Sequence, residues 1–484
     1  MVIKQFQLKF PILKGILLLL QAVVLVFFSL VLLPEVVFIA ISLVLLLLWV
    51  ITFYIEGVYE FADIPMLFLV LGTFAYGRSF SLLGIPLGNI PVYVTELLLA
   101  GSLGLLLLTR KSLKKLWDEW RLPLPRGLMM VLAAYFLMGT LYLLIGVIGN
   151  GFTALRDIVF CHYLLFLFVT LNLLKKPIKM ESLMPFFKPA VIILLWIGLT
   201  AFFIYIPSLY PFKQFIEKGK MFNLGLYYGL IVIFGLSFFT FLKFKRKLII
   251  GAFIYFALLF IIMTEVRAGW LGLIVALIFL IILLKKEVKI LLLILLLTAG
   301  SLFIIDHFQL GIDKNKIQVL TAEVKSITQR NLLSMPSANI EWRLNLWRQT
   351  GEEIREHPVF GWGFGIQINY EVWKKELAWL KAMGANTGIL PPHNHVLAVT
   401  YKMGLVGLAL FLFINFRVFF YGLFYIKKCK SVFNRRFLIA SLAGLVYWHG
   451  MAFFFDVLES PPTGIFLWIL LGCILAVVHV DRRA

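Results

Sequence analysis

The chain has 484 residues, of which 62% are hydrophobic and 16% aromatic, and its mean hydropathy is +0.98. This composition excludes a water-soluble globule, which could not bury so much apolar surface, and indicates a polytopic membrane protein. The formal net charge of +21 is dispersed in short clusters between apolar runs, which favours anchoring of membrane topology over nucleic-acid binding. Cys161, Cys429 and Cys473 lie in or beside these runs and form neither a disulfide framework nor a metal-ligand spacing.

Apolar runs of roughly 20 residues, the length that a helix needs to cross the bilayer, recur along the chain. They predict an all-α polytopic membrane protein with about 14 transmembrane helices, and 12 to 14 are compatible with the pattern. The runs are 14–33, 36–55, 64–77, 91–109, 127–147, 155–174, 189–208, 222–242, 248–265, 267–284, 289–305, 395–425, 436–456 and 463–480. The short run 64–77 continues into the Gly/Pro-rich RSFSLLGIPLGNIP, for which a re-entrant or interfacial placement is an alternative to spanning.

Three regions follow from this pattern. Residues 1–305 form an N-terminal transmembrane bundle of about 11 helices, 306–394 form a long polar loop region with surface helices, and 395–484 form about three C-terminal helices. Every second loop is rich in lysine and arginine, which places both termini in the cytoplasm. We therefore expect a multi-pass protein of the cytoplasmic membrane, whether an inner membrane or the sole cell membrane, with residues 306–394 on its extracytoplasmic face.

Cationic side chains near this face are candidates for binding an anion. Arg267 lies in TEVRAGWLG, where the small Ala268 and Gly269 would let a ligand approach the guanidinium group. Lys220 precedes a helix start near Phe222, whose dipole would assist anion binding. Arg156 is a third candidate. Each has a purely structural alternative. Arg267 could extend its side chain to water, Lys220 could anchor the chain at the membrane interface, and Arg156 could pair with the adjacent Asp157.

The loop region contains a predicted helix from Asn339 to Glu356, with Asn339 as its cap and Pro358 as its stop. Its apolar residues suit a helix lying on the membrane surface. Arg343 and Trp347 on this helix are candidates for contact with a glycan or the surrounding loop, although a solvated charge and an interfacial anchor are the plainer interpretations. Trp342, Trp362, Trp373 and Trp379 carry the same two alternatives. The following HPVFGWGFG indicates a compact turn and is not a phosphate loop, because no Lys-Ser/Thr follows it.

Histidines flank Asn394 at the start of the run 395–425. His393 and His395 are two positions apart, so they would lie on different helical faces, which disfavours a metal site made of both. His393 follows two prolines that restrict the backbone before it and is predicted to face the outer compartment. It is a candidate general base, and a structural histidine is the alternative.

These motifs together resemble the superfamily of O-antigen ligases and polymerases, bacterial membrane proteins that act on undecaprenyl-diphosphate-linked glycans. The resemblance covers about residues 220 to 407 and rests on TEVRAG, on R-x-x-x-W followed by HPVFGWGFG, and on HNHVL followed by GLVGL. The sequence departs from the family pattern at Val266, Lys402 and Lys220, where serine, an acidic residue and arginine are more usual. A lysine keeps the charge but loses the bidentate fork of arginine.

The resemblance implies a membrane glycosyltransferase fold and a metal-independent, inverting reaction without a cofactor. The leading hypothesis is transfer of a polysaccharide from an undecaprenyl-diphosphate carrier to a glycan or lipid acceptor, with membrane lipids as the other partners. His393 would be the base, Arg267, Lys220 and Arg156 would bind the diphosphate, and Arg343, Trp347 and Asn394 would contact the glycan or order the loop. A polymerase of lipid-linked repeat units, as in O-antigen, capsule, exopolysaccharide or teichuronic acid synthesis, is the closest alternative. A transporter or flippase of lipid-linked sugars is a more distant one, because the sequence shows no internal repeat.

Overall fold

The computed structural model describes residues 2–29, 35–81, 83–87, 90–110, 112–121, 124–175, 182–204, 224–263, 267–284, 294–298, 300, 335–366, 368, 392–455 and 457–483. Lys220, Trp373 and Trp379 lie outside these residues, as does most of the predicted loop region. The side chains of Arg267 and Trp342 also lie outside the description, although their backbones belong to helices.

Helices dominate the described part of the chain, as the apolar runs predict. In the N-terminal half they are α1 Val2–Ser29, α2 Glu35–Ile55, α3 Ile64–Tyr76, α4 Arg78–Ser81, α5 Val94–Arg110, α6 Leu113–Arg121, α7 Leu128–Asn150, α8 Ile158–Cys161, α9 Leu165–Leu173, α10 Leu183–Phe186 and α11 Lys188–Ile204. In the C-terminal half they are α12 Leu224–Phe238, α13 Phe244–Met263, α14 Arg267–Leu283, α15 Met335–Glu356, α16 His395–Tyr425, α17 Val432–Ala452 and α18 Pro461–Arg483. Short 3₁₀ turns join several of them.

Three helical stretches are long and apolar enough to cross a membrane in the described part of the chain: Leu128–Leu173, His395–Lys428 and Pro461–Arg483. Shorter apolar helices are Pro11–Leu25, Ala40–Ile55, Phe61–Tyr76, Gly225–Phe238 and Ala268–Leu283. These features are consistent with the expected all-α membrane protein. The number of about 14 spans stays a prediction, as do the bounds of the three regions.

The Gly/Pro-rich piece after α3 forms a small antiparallel hairpin. Strand β1 (Gly84–Leu87) pairs with β2 (Ile90–Tyr93), with Pro86 opposite Pro91. Proline has no N–H to donate, so this ladder is short. The run 64–77 is therefore a helix of its own that ends before the hairpin, and the hairpin is the one departure from helix among the described elements.

The stretch Leu128–Leu173 contains a reversal of chain direction. Tyr135 on α7 donates a hydrogen bond to the carbonyl of Phe160 at 2.8 Å. A straight helix would separate these two residues by about 38 Å along its axis, so the chain turns back after Asn150. Gly139 permits the close packing, since a Cβ there would lie 2.2 Å from Cβ of Cys161. Two helical passes result from this one apolar stretch, as the runs 127–147 and 155–174 predict.

Ion pairs gather several predicted cytoplasmic loops at one end of the bundle. Lys14 Nζ lies 2.6 Å from Glu56 Oε2. Glu119 Oε2 lies 3.0 Å from Arg110 Nε and 3.6 Å from Lys175 Nζ. Arg110 Nη2 also lies 3.6 Å from Glu60 Oε2, which links the second group to the turn that contains Glu56. The charges come from segments far apart in the sequence that the predicted topology assigns to one side. The grouping fits that assignment, while the side that faces the cytoplasm stays a prediction.

Helix α16 is broken at Gly404, although the sequence predicts one continuous span over 395–425. Gly404 has φ 64° and ψ −171°, a backbone conformation that is accessible essentially to glycine alone. The rings of His395 and Phe411 are only 6.1 Å apart, whereas a straight helix would place these residues about 24 Å apart along its axis. The prediction was therefore wrong in this detail, because the segment 395–403 folds back along the longer helix that follows the break.

Candidate functional site

The glycine-rich loop, residues 357–366, holds the break in α16. Four backbone hydrogen bonds of 2.8 to 3.2 Å join the loop to the broken turn, namely Trp362 N to Tyr401 O, Gly363 N to Lys402 O, Leu405 N to Pro358 O and Val406 N to Val359 O. The two backbones approach so closely that a Cβ on Gly404 would lie 2.2 Å from the Val359 carbonyl oxygen. The motif HPVFGWGFG is thus a compact turn, as predicted, and its glycines allow it to pack against another backbone.

The same loop is fixed to the end of α7. The Tyr142 hydroxyl donates to the Phe360 carbonyl at 2.5 Å, and the Asn150 amide donates to the Phe364 carbonyl at 2.9 Å. Trp362 also donates its indole N–H to the Glu353 carbonyl at 3.0 Å, which ties the loop to α15. The loop therefore joins α15, which directly precedes it, to α16 and to α7, and α7 is more than 200 residues away in the sequence.

An ion pair completes this attachment. Lys402 Nζ lies 2.8 Å from Asp157 Oδ2 and donates to the Ile366 carbonyl at 2.6 Å. The Asp157 carboxylate also accepts from the Gly365 N–H at 2.7 Å. The side chains of Lys402 and Asp157 are only 13% and 12% exposed. Asp157 thus bonds Lys402 rather than the adjacent Arg156, which is exposed, so the expected alternative of an Arg156–Asp157 pair is wrong.

Replacing Lys402 with methionine is expected to lower the stability of the protein by about 3 kcal/mol, because it leaves the Asp157 carboxylate buried without its counter-charge. Thermal unfolding in detergent or nanodiscs measures this loss. The control is Arg348→Met, since the Arg348–Glu352 pair is 3.9 Å long and its side chains are 78% and 62% exposed. The double variant with Asp157→Asn should recover part of the loss. If Lys402→Met and Arg348→Met unfold at the same temperature, the role assigned to the buried Lys402–Asp157 pair is wrong.

His393 lies in a short turn that is fastened on both sides. Before it, the Pro392 carbonyl accepts a hydrogen bond from the Trp347 indole at 2.8 Å. After it, the Asn394 side chain caps α16 by accepting from the N–H groups of Val396 and Leu397 at 2.9 and 3.2 Å. His393 itself has φ 50°, in the left-handed region, which is uncommon for residues other than glycine. Its half-buried ring lies 6.0 Å from that of Phe455.

Helix α15 contacts the residues around His393. It begins at Met335, so Asn339 lies inside the helix and is not its cap, contrary to the sequence prediction. Arg343 donates through Nη1 to the Phe454 carbonyl at 3.1 Å, and Trp347 packs its ring 6.2 Å from the Phe454 ring. Both side chains therefore have defined structural partners, beyond the solvated charge and the interfacial anchor that the sequence left open.

The start of α14 lies at the same end of the molecule as His393. Gly272 of α14 packs against Gly450 of α17, where an added Cβ on Gly450 would lie 2.7 Å from the Gly272 Cα. Further along α14, the Phe279 ring lies 5.8 Å from that of Phe419, near the far end of α16. Hence α14 runs antiparallel to α17. Arg267, five residues before Gly272, lies about 7.5 Å further toward the end of α17 that leads to Phe455.

The structure thus brings together four of the predicted site residues: His393, Asn394, Arg343 and Trp347. It places the backbone of Arg267 at the same end and Arg156 beside the ion pair of Lys402. Sequence reasoning missed the roles of Asp157 and Lys402 and a polar contact of His395 with His449. A lysine and a histidine inside predicted spans were the available signals, because charged or titratable residues are costly there.

No group of three or more His, Cys, Asp or Glu side chains suited to a metal ion occurs among the residues that the structure describes. The expectation of a metal-independent reaction stays a prediction.

A family model described as O-antigen ligase matches residues 252–412. Within this region the chain is similar to members of the O-antigen ligase and polymerase-like superfamily. Provisionally named polysaccharide ligases from Rickettsia felis and Rickettsia bellii are 26% and 29% identical to it over 129 and 125 residues. A similarly named protein from Rickettsia conorii is 25% identical over 127 residues.

Each of these alignments covers 26% of the chain and under a third of the relative's length, at 29%, 28% and 29% respectively. The O-antigen ligase region contains the start of α14, helix α15, the glycine-rich loop, His393 and the break in α16. The superfamily resemblance drawn from the motifs is therefore confirmed, and the described site lies largely within the matched region.

Proposed function

We propose that the protein is a membrane glycosyltransferase that transfers a polysaccharide from an undecaprenyl-diphosphate carrier to an acceptor hydroxyl. The reaction would take place on the extracytoplasmic face of the cytoplasmic membrane. The observation that supports it most is the fixed turn around His393, held by Trp347 and Asn394 within the region that matches the O-antigen ligase model. We favour a ligase over a polymerase because the similar proteins carry the provisional name of polysaccharide ligases.

In this proposal His393 is the general base. Its imidazole accepts the proton of the acceptor hydroxyl as the oxygen attacks the anomeric carbon of the donor glycan. The new carbon–oxygen bond forms as the bond from the anomeric carbon to the phosphate oxygen breaks, and the lipid diphosphate leaves with the bonding electrons. Attack opposite the leaving group inverts the anomeric configuration. The half-buried ring and its fastened backbone suit this role, since the base has to reach the hydroxyl in a reproducible orientation.

The lipid diphosphate needs positive charge as it leaves. Arg267 is the principal candidate, because its backbone lies at the same end of α14 and α17 as His393. Lys220 and Arg156 are the other proposed cations, and Arg156 is exposed. Guanidinium and ammonium groups can stabilise the developing charge by themselves, so the proposed reaction needs no metal ion. Arg343 and Trp347 would order the loop and contact the glycan from α15.

The direct test uses purified protein in nanodiscs. The donor is the lipid-linked glycan extracted from a strain that lacks this protein, and the acceptor is the glycolipid fraction of the same strain. We expect glycan to become covalently attached to the acceptor and the lipid diphosphate to be released in equal amount. Movement of lipid-linked glycan across liposomes without any transfer would contradict the proposal and favour a transporter.

A deletion strain separates a ligase from a polymerase, the closest alternative. Loss of a ligase leaves long glycan on the lipid carrier, because polymerisation continues without transfer. Loss of a polymerase leaves single repeat units on the cell surface. Electrophoresis of the lipid-linked and acceptor-linked glycans measures both distributions, and single units would overturn the ligase assignment.

A further inference from the structure

Behind His393 lies a chain of three polar side chains, His395, His449 and Asn415. His395 Nε2 lies 3.3 Å from His449 Nδ1, and His449 Nε2 lies 3.2 Å from Asn415 Oδ1. His395 is 5% exposed and Asn415 is 3% exposed. Three aromatic rings, those of Phe411, Trp448 and Phe453, lie within 5.8 to 6.4 Å of the His395 ring. These three polar side chains are thus enclosed among apolar helices. Burying polar groups there is energetically costly, which indicates that they have a structural or functional role.

The hydrogen bonds of the chain have a definite direction. The Asn415 amide nitrogen donates to the Phe411 carbonyl at 2.8 Å, which leaves Asn415 Oδ1 as an acceptor. His449 must then donate from Nε2. A neutral imidazole that donates from Nε2 accepts at Nδ1, so His395 donates from Nε2 to His449. The orientation of the Asn415 amide thus assigns Nε2 as the donor of both imidazoles.

These hydrogen bonds connect three helical elements. Asn415 lies in the long part of α16, His449 in α17, and His395 at the start of the folded-back segment 395–403. His395 is two residues after His393, so its ring anchors the segment from which the His393 turn emerges. Helix α17 also leads directly to Phe454, whose carbonyl accepts from Arg343. One set of hydrogen bonds thereby fixes the segment that carries His393 relative to the neighbouring helices.

We propose that His395, His449 and Asn415 are positioning residues that hold the backbone of His393 in its productive orientation. This inference rests on the proposed function, since it assigns a task relative to the His393 base. The three residues touch neither donor nor acceptor in this account. They act by holding the segment 395–403 at a fixed position against α17 and the long part of α16. A displacement of a catalytic group by about 1 Å can lower a catalysed rate about 100-fold.

Two substitutions of His449 test the proposal with nearly equal side-chain volumes. In His449→Gln the amide can donate to Asn415 and accept from His395, so both bonds can persist. In His449→Met both are lost. We expect His449→Met to lower kcat about 10- to 100-fold with KM for the donor within about threefold of the original, and His449→Gln to keep kcat within about threefold. His395→Phe, which fills the aromatic surroundings without a donor, should behave like His449→Met.

The assay is the nanodisc transfer reaction with the extracted lipid-linked glycan, and rates are normalised to folded protein by size-exclusion chromatography. Each variant is also combined with His393→Ala, which should remove any further effect of His449→Met on the residual rate. Equal kcat for the glutamine and methionine variants would overturn the positioning role, as would additivity with His393→Ala. If the unaltered protein transfers no glycan in this assay, the proposed function itself fails, so the two failures are distinguishable. Full activity of His393→Ala would instead remove the base role of His393 and, with it, the positioning role.

Discussion

Replacing His393 with alanine is expected to lower the turnover number for glycan transfer by about 10²- to 10⁴-fold, the usual contribution of a positioned general base. The turn would remain in place, because the Pro392 carbonyl and the Asn394 side chain, which hold it on either side, are unchanged. The donor should therefore still bind, with a KM close to that of the original protein. Initial rates at saturating and limiting concentrations of lipid-linked donor separate the two quantities.

His479→Ala provides the matched control for this variant. His479 lies near the end of α18, where the basic residues Arg482 and Arg483 follow it, and it has no assigned role in transfer. Its substitution should leave turnover unchanged. Should His393→Ala transfer glycan as fast as His479→Ala, the base lies elsewhere. A protein that only transported lipid-linked glycan would continue to do so in the His393 variant.

Replacing Gly404 with alanine is expected to abolish activity and to destabilise the protein severely. The conformation at φ 64° and ψ −171° costs a residue with a Cβ about 1–3 kcal/mol by itself. The added methyl group would also lie 2.2 Å from the Val359 carbonyl oxygen, which is backbone and cannot move aside as a flexible side chain would. The glycine-rich loop would have to detach or α16 would have to straighten, and either change displaces His393.

Gly351→Ala is the comparison for this effect. Gly351 lies within α15 and an added Cβ there meets nothing within 4 Å. Alanine at that position should be neutral or stabilising by up to about 1 kcal/mol, because it favours the helix. Thermal unfolding and transfer rate of the two variants give the contrast. A Gly404→Ala protein that unfolds at the same temperature as Gly351→Ala would show that the break is not required.

The lengths of the apolar runs and the positions of polar and glycine residues beside them predicted much of the fold and part of the site. Apolar runs predicted most helices of the described chain, because length and apolarity alone decide whether a segment suits the bilayer. The sequence placed the start of an apolar run directly after Asn394, and the structure adds that the Asn394 side chain caps the helix that begins there. The compact turn at HPVFGWGFG followed from the conformational freedom of its glycines.

The break in α16 at Gly404 could not be predicted from these sequence features. A glycine inside an apolar run is tolerated by a continuous membrane helix, so the local sequence does not distinguish a broken helix from a straight one. What decides the matter is the backbone of residues 357–366, some forty positions earlier, which bonds to the broken turn. The partnership of Lys402 with Asp157 is equally non-local, since 245 residues separate them.

Because the chain folds back at Gly404, the number of residues between Gly404 and His393 is also fixed. The short helix 395–403 is joined to the glycine-rich loop at one end and to His449 at the other. Adding or removing one residue within it would rotate one end against the other by about 100° and shift it by about 1.5 Å. We therefore expect relatives that keep the glycine-rich loop and the equivalent of His449 to conserve the spacing between the equivalents of His393 and Gly404. The loop that precedes this segment should vary freely in length.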